Sequence, residues 1–304
     1  STLNLELYFE HRNYMTAAFL FLPLVALFRK KATQQVFFGV VVVGLLVLSG
    51  FTRYSATVWQ AFPSIVEASA RKAPTSARAQ AQYATQLFNA CRYEESLQVI
   101  DRAVEVIDTG HPLLVVNRLI IRCQLGILSK SEFEKAAEVV TKRFYNARSL
   151  QLYTALITSV GTGKCPEVSL TRLRTMFEQM LLLPVNAGPR SLSYSQLHYF
   201  VGLSSVKVRD LPRAVAAFEE SLRARPGSSH AMIMAALLAT GEYYDEALYF
   251  SDIALSQLDV EDQGIAGRAR VSEADIHHFR NVVREDIEAL RVREEATTPE
   301  DRND

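Results

Sequence analysis

A spaced set of small and aromatic residues in the second half of the chain constrains its fold more than any other feature. Gly202, Ala214, Phe218 and Pro226 are separated by 12, 4 and 8 residues. Two antiparallel helices approach closely only where side chains are small, and a proline ends a helix because it lacks the N–H and clashes with the preceding turn. The spacing therefore predicts a pair of antiparallel helices over residues 195–228.

Two further stretches carry a similar spacing, one directly after this pair and one at residues 77–110. Such a pattern is typical of the tetratricopeptide repeat, a helix pair of about 34 residues. Ala214 and Ala247 are 33 residues apart, so a slightly shortened loop is expected. The equivalent small residues are Ala84, Ser96 and Ala103 in the earlier stretch and Ala235, Ala247 and Ala254 in the later one. The pattern predicts an all-α chain with a tetratricopeptide-like α-solenoid of four or five pairs over residues 76–258.

The repeat is degenerate over residues 111–185, where helical periodicity persists with weak repeat identity. Helices are predicted at about 147–160 and 168–183, separated by a turn that begins Gly161-Thr162-Gly163-Lys164. This turn is not a phosphate-binding loop, because Thr158 and Cys165 occupy positions where that motif needs glycine and serine or threonine.

Three cysteines are present, which is an odd number for a disulfide framework. Cys91 and Cys123 are predicted to be buried helix residues, for which core packing is the favoured role. One bridge between two of Cys91, Cys123 and Cys165 remains an alternative, without a preferred pairing.

Two apolar stretches near the start of the chain, residues 14–28 and 36–51, flank the cationic cluster Arg29-Lys30-Lys31. They predict a two-span transmembrane hairpin over residues 14–52, with membrane lipid around it. Since positive charge stays on the cytoplasmic side, both ends of the chain are expected outside the cytoplasm. Residues 1–13 are predicted to lie at the outer interface and residues 53–75 to form a juxtamembrane linker, in which Trp59 meets the headgroups or packs on the first repeat helix.

The end of the chain is predicted to close the solenoid. Ser272 and Asp275 resemble a capping box, so a capping helix is expected within residues 259–293. A repeat stack needs such a helix because its last unit otherwise leaves an apolar face in water. Residues 294–304 are acidic and poor in large apolar groups, and we expect them to be disordered.

Composition argues against several classes of ligand. The 33 basic and 33 acidic residues balance, so a nucleic-acid partner is not expected. His277 and His278 are adjacent and point about 100° apart on a helix, so they cannot clamp one metal ion. We predict neither a metal site nor a cofactor.

The segment Leu5-Glu6-Leu7-Tyr8-Phe9-Glu10-His11-Arg12-Asn13-Tyr14, followed by apolar stretches and helical repeats, resembles the C-terminal part of bacterial polytopic membrane proteins with tetratricopeptide tails. Those proteins are similar to GT-C type glycosyltransferases and to transmembrane tetratricopeptide O-mannosyltransferases. The resemblance implies a bacterial inner membrane, repeats that face the periplasm and a lipid-linked sugar donor. It also makes Glu10, His11 and Arg12 candidates for the donor or acceptor site. The chain starts at Ser1 without an initiator methionine, so a longer protein is expected.

Two functional hypotheses follow. The first is a membrane-anchored scaffold that binds a protein or peptide partner in a groove lined by the first helix of each pair. Candidates for that groove are Tyr83, Leu87, His198, Ser205, Met232 and Ala239. The alternative is the C-terminal region of a membrane glycosyltransferase, whose repeats position the acceptor beside a lipid-linked glycan. No catalytic role is assigned, and whether the chain is enzymatic stays open.

Overall fold

The computed structural model describes residues 34–259 and 271–297, which are helical and contain no β-strand in those ranges. The chain divides into two compact units, residues 1–68 and 69–304. The α-helices are α1 (Gln34–Trp59), α2 (Phe62–Lys72), α3 (Ala77–Asn89), α4 (Tyr93–Val106), α5 (Pro112–Gln124), α6 (Lys130–Thr141), α7 (Leu150–Gly161), α8 (Leu170–Leu181), α9 (Leu192–Lys207), α10 (Leu211–Ala224), α11 (Ser228–Thr240), α12 (Tyr244–Ser256) and α13 (Glu273–Thr297).

The long helix α1 contains the second apolar stretch and continues to Trp59, into the predicted linker. The rest of that linker is mostly helical too, because α2 begins at Phe62 with Pro63 in its first turn, where a proline costs no hydrogen bond. Of the helices in the described ranges, none reaches the combined length and apolarity of a bilayer span. Residues 1–13 and 14–28 and the cationic cluster lie outside the described residues, so the two-span hairpin stays a prediction.

The second compact unit contains an α-solenoid of consecutive helix pairs. The pairs are α3–α4, α5–α6, α7–α8, α9–α10 and α11–α12. The first helices of neighbouring pairs contact one another and form what we call the first-helix layer, namely α3, α5, α7, α9 and α11. The second helix of each pair packs against its own first helix. This arrangement confirms the all-α, tetratricopeptide-like solenoid predicted from the spacing of small residues.

Every first helix ends in the same turn. The last helical turn of each first helix closes with the hydrogen bonds of a Schellman motif. In this motif a residue in the left-handed region donates its N–H to the carbonyl three residues before it. Around Gly126, for example, the N–H of Gly126 bonds the carbonyl of Cys123 at 2.9 Å and the N–H of Ile127 bonds that of Arg122 at 3.0 Å. The left-handed residues are Cys91, Gly126, Gly163, Arg209 and Glu242, with φ between 59° and 76°. The turn therefore marks the repeat even in the pairs whose sequence identity is weak.

The small residues lie where the two helices of a pair meet, as predicted. A Cβ atom on Gly202 would collide with the ring of Phe218 on the facing helix. Ser96 and Ala84 are fully buried, and the Ser96 hydroxyl donates to the Ala84 carbonyl at 2.7 Å. Phe218 therefore fills the space that the missing glycine side chain leaves open, which explains why a large aromatic and a glycine occur together.

The cysteines differ from the sequence prediction in one respect. Cys123 is buried, as predicted, and forms a disulfide with Cys165, which is buried in the turn between α7 and α8. Cys91 is exposed, so its predicted core position is wrong. The reason is that Cys91 lies beyond the end of α3 as the left-handed residue of the turn, whereas helical periodicity predicts a position on the helix.

The C-terminal helix begins with the predicted capping box. The Ser272 N–H donates to the Asp275 carboxylate at 3.0 Å, and the Asp275 N–H donates to the Ser272 hydroxyl at 3.2 Å. Ile276 and Val283 of α13 are buried, and Arg280 forms an ion pair with Asp252 of α12. The helix continues to Thr297, beyond the predicted end at Arg293, because its last residues are good helix formers.

Candidate partner-binding groove

A groove crosses the first-helix layer at its middle, between α5, α7 and α9. It has a volume of about 440 Å³. Its lining residues are Gln124, Leu150, Gln151, Thr154, Ala155, Thr158, Ser159 and Tyr199. We call this feature the central groove.

The floor of the central groove is one face of α7. Gln151, Ala155 and Thr158 are exposed on it, whereas Leu156 and Ile157 on the opposite face are fully buried in the core. Residues three and four apart lie on the same face of a helix, so the uncharged side chains of this face form one continuous strip. Because the side chains of Thr154, Ala155 and Thr158 are short, α7 forms a depression between its two neighbours.

The hydroxyl groups on this strip are oriented by their own helix. The Thr154 hydroxyl donates to the Leu150 carbonyl at 2.9 Å, and the Thr158 hydroxyl donates to the Thr154 carbonyl at 2.9 Å. A hydroxyl has one proton and two lone pairs. With that proton already used, each threonine can offer a partner only its oxygen as an acceptor.

At one end of the central groove, beside the disulfide, hydrogen bonds link three polar side chains. The Gln124 amide donates to the Ser159 hydroxyl at 2.6 Å, and the Lys164 ammonium donates to the Gln124 carbonyl oxygen at 2.6 Å. Gln124 and Lys164 directly adjoin Cys123 and Cys165, which the disulfide joins. The cross-link therefore fixes the two backbones from which these side chains reach the groove.

Tyr199 of α9 contributes a nearly buried phenol to the groove. The residue is 6% exposed, and this burial raises the pKa of its phenol to about 12. Its ring packs against Phe200 and Phe218, with ring centroids 5.8 and 6.2 Å away. Within the described residues its hydroxyl has no hydrogen-bond partner. Tyr199 therefore stays protonated near neutral pH and can donate to a molecule bound in the groove.

The six residues predicted for the groove all lie on first helices, but none lines the central groove. Tyr83, His198, Met232 and Ala239 are partly exposed, whereas Leu87 and Ser205 are buried and cannot be reached by a partner. Burial lowers the pKa of His198, although nearby Glu220 opposes this effect. The binding role of the four accessible residues stays a prediction.

Sequence reasoning missed Thr154, Thr158 and Tyr199. The first two lie in the degenerate part of the repeats, on the helix predicted at about 147–160. The sequence does not show whether this helix is the first or the second of a pair. A usable signal was present, since residues 150–163 contain no charged residue although part of that segment had to face water. Tyr199 lies in the best-defined pair, but the repeat spacing gives it no assigned role. Glu10, His11 and Arg12 lie outside the described residues.

A second cavity of about 360 Å³ lies between α4, α5 and α6. Three of its four charged lining side chains are in ion pairs: Arg118 lies 2.6 Å from Asp101, and Arg122 lies 2.5 Å from Glu132, while Lys135 is the fourth. The paired charges are therefore committed within the chain, which makes this cavity a weaker candidate than the central groove. Among the described residues, no cluster of His, Cys, Asp and Glu is arranged to hold a metal ion.

Comparisons with known proteins reach only the level of the fold. No family model and no curated protein matches the chain. Similar solved structures include TTC0263, a thermophilic TPR protein of Thermus thermophilus, at 17% identity and a TM-score of 0.37, over 69% of this chain and 100% of that chain. YrrB, a TPR protein with an unusual peptide-binding site, is 16% identical at a TM-score of 0.34, over 63% of this chain and 91% of that chain. MamA is 11% identical at a TM-score of 0.34, over 57% of this chain and 92% of that chain. The assignment of this chain to the tetratricopeptide-like solenoids rests on its own helix pairs and turns.

Proposed function

We propose that this protein is an interaction scaffold that binds a segment of a protein partner in the central groove. The observation that carries this proposal is the strip on α7, where uncharged hydrogen-bonding side chains line a depression between two neighbouring helices. Solenoids expose extended surfaces of this kind, on which a partner is held by many weak contacts. The groove combines an apolar base at Leu150 and Ala155 with polar groups along its length, as recognition sites commonly do.

The chemistry of the groove favours binding over catalysis. An activated hydroxyl nucleophile needs a general base that accepts its proton. The hydroxyls of Thr154, Thr158 and Ser159 instead donate to carbonyl groups of their own helix. They are therefore fixed polar contacts and have no activated oxygen.

The proposal is tested by blocking the groove with a large side chain. A phage-displayed library of random linear peptides is selected on the purified protein, and the enriched peptides are measured by fluorescence anisotropy. We expect Ala155→Arg to weaken their binding at least about tenfold, since the new side chain fills the depression and adds a charge. Thr175→Arg, at an exposed position of α8, is the matched control and should bind as the native protein does. Failure to enrich any peptide, or equal binding by Ala155→Arg, would show the proposal to be wrong.

We also propose that the N-terminal apolar region attaches the repeats to a bacterial inner membrane, with the repeats in the periplasm. Two observations support this. Phe38, Leu46 and Phe51 of α1 are 71%, 67% and 67% exposed, and apolar surface of this extent is usually covered by lipid or protein. The disulfide between Cys123 and Cys165 is typical of an oxidising compartment.

The proposed topology predicts which single cysteines react from outside the cell. In a Cys91→Ala background, Asn303→Cys is expected to react with a membrane-impermeant maleimide in intact spheroplasts. Ala32→Cys, next to the cationic cluster, is the matched variant and is expected to react only after lysis. Recovery of the protein in the soluble fraction, or protection of the cysteine at position 303, would contradict the topology.

The glycosyltransferase alternative depends on Glu10, His11 and Arg12, which lie outside the described residues. No observation on the described part of the chain favours a lipid-linked glycan as a partner. This alternative therefore stays a prediction of the sequence.

A further inference from the structure

The acceptor groups of the central groove define what a partner must offer. Thr154 and Thr158 have used their hydroxyl protons on the carbonyls of Leu150 and Thr154. The Ser159 hydroxyl donates to the Ala155 carbonyl at 2.8 Å and also accepts from Gln124. The strip on α7 therefore offers free lone pairs, and a complementary partner must bring N–H or O–H donors.

The spacing of these acceptors matches an extended peptide. Thr154 and Thr158 are four residues apart, so their Cβ atoms are about 5–6 Å apart on successive turns of one face. Alternate residues of an extended strand are about 6.6 Å apart, and their N–H groups point to the same side. A strand that runs along α7 can therefore place two alternate N–H groups over the two threonine oxygens.

Tyr199 supplies the complementary donor. It is more than nine-tenths buried, lines the groove and has no hydrogen-bond partner for its hydroxyl within the described residues. The Tyr199 hydroxyl oxygen is not among the buried unpaired polar atoms of the described residues, so water reaches it in the free protein, and a bound acceptor would replace that water. An extended peptide offers carbonyl groups between its N–H groups, and one of them can accept from Tyr199.

We propose that the central groove recognises the main chain of an extended, uncharged peptide segment, with Thr154 and Thr158 accepting alternate N–H groups and Tyr199 donating to a carbonyl. This inference rests on the proposed function, which requires only that a peptide binds there. It adds that recognition is through the peptide backbone. The eight side chains that line the groove are uncharged, and the nearby Lys164 ammonium donates to Gln124, so a cationic peptide side chain placed there would lose its hydration without a partner.

The test compares hydroxyl deletions with N-methylated peptides. An uncharged peptide enriched from the random library is the probe, measured by fluorescence anisotropy. Thr154→Val and Thr158→Val keep the shape of the side chain and remove the acceptor, and each is expected to weaken binding about three- to tenfold. Thr175→Val on α8 is the matched control, because its hydroxyl donates to the Thr171 carbonyl at 3.0 Å in the same manner but outside the groove.

N-methylation of single peptide bonds then separates backbone recognition from simple occupancy. We expect two alternate N-methyl positions to weaken binding to the native protein, and one of them to have little effect on Thr154→Val, since the contact is already lost. Tyr199→Phe should weaken binding to a similar extent while leaving the circular dichroism spectrum unchanged.

Two outcomes would overturn the inference in different ways. If Ala155→Arg blocks the peptide but both valine variants bind it normally, the groove binds peptides and backbone recognition is wrong. If no peptide is enriched and an oligosaccharide array binds instead, both the inference and the proposed function are wrong.

Discussion

Replacing both Cys123 and Cys165 by alanine is expected to lower the free energy of unfolding of the solenoid by about 2–4 kcal/mol. The disulfide joins the end of α5 to the turn after α7 across a sequence separation of 42 residues. Closing a loop of this length removes many conformations from the unfolded chain, which is the main source of stabilisation in the entropic model. Urea denaturation followed by circular dichroism measures the change.

The exposed cysteine provides the control for this prediction. Cys91→Ala removes a thiol that lies outside the core and forms no disulfide, so its unfolding curve should match that of the native protein. Reduction of the native protein should reproduce the double alanine variant. Equal stability of the oxidised native protein and the double variant would show that the cross-link does not constrain the unfolded chain.

The second large effect is expected at Gly202, where Ala should be destabilising by about 1–3 kcal/mol. Helix propensity alone predicts the opposite, since alanine is favoured over glycine inside a helix by about 1 kcal/mol. We expect the collision of the new Cβ with the Phe218 ring to outweigh the gain in helix propensity, because both residues are buried and the helices must move apart. The measurement is again the midpoint of urea denaturation.

Two further variants identify the cause of that loss. Gly188→Ala places its Cβ 3.6 Å from the Ser191 Cβ, an ordinary contact, and should change stability little. Phe218→Leu combined with Gly202→Ala should lose less than the sum of the two single changes, since a smaller side chain makes room for the Cβ. Strict additivity of the two changes would exclude the proposed collision.

The helix pairs at the two ends of the solenoid could be predicted because close approach of two helices restricts residue types. At Gly202 and Ala214 only small side chains fit, so the requirement is visible in the sequence. The middle pairs meet through larger groups, among them Tyr153 and Phe177, whose rings lie 5.8 Å apart. Such contacts depend on the combined shape of several side chains, and this shape leaves no regular spacing in the sequence.

The central groove could not be predicted for a related reason. The strip on α7 lies on the face of that helix that stays exposed, and the packing of α5 and α9 against α7 determines which face that is. The hydroxyl groups of Thr154 and Thr158 donate to carbonyls of their own helix, which depends on the folded geometry and not on residue type alone. Tyr199 has an ordinary core residue type, and its missing partner is a property of the assembled fold.

The turn that ends every first helix has a consequence for how such a solenoid can change in length. The same two backbone hydrogen bonds close the turn whether its left-handed residue is Gly126, Arg209 or Glu242. Since backbone atoms alone make these bonds, a whole pair can be gained or lost between two turns without altering the bonds of its neighbours. The first-helix layer can therefore grow by one helix for each added pair.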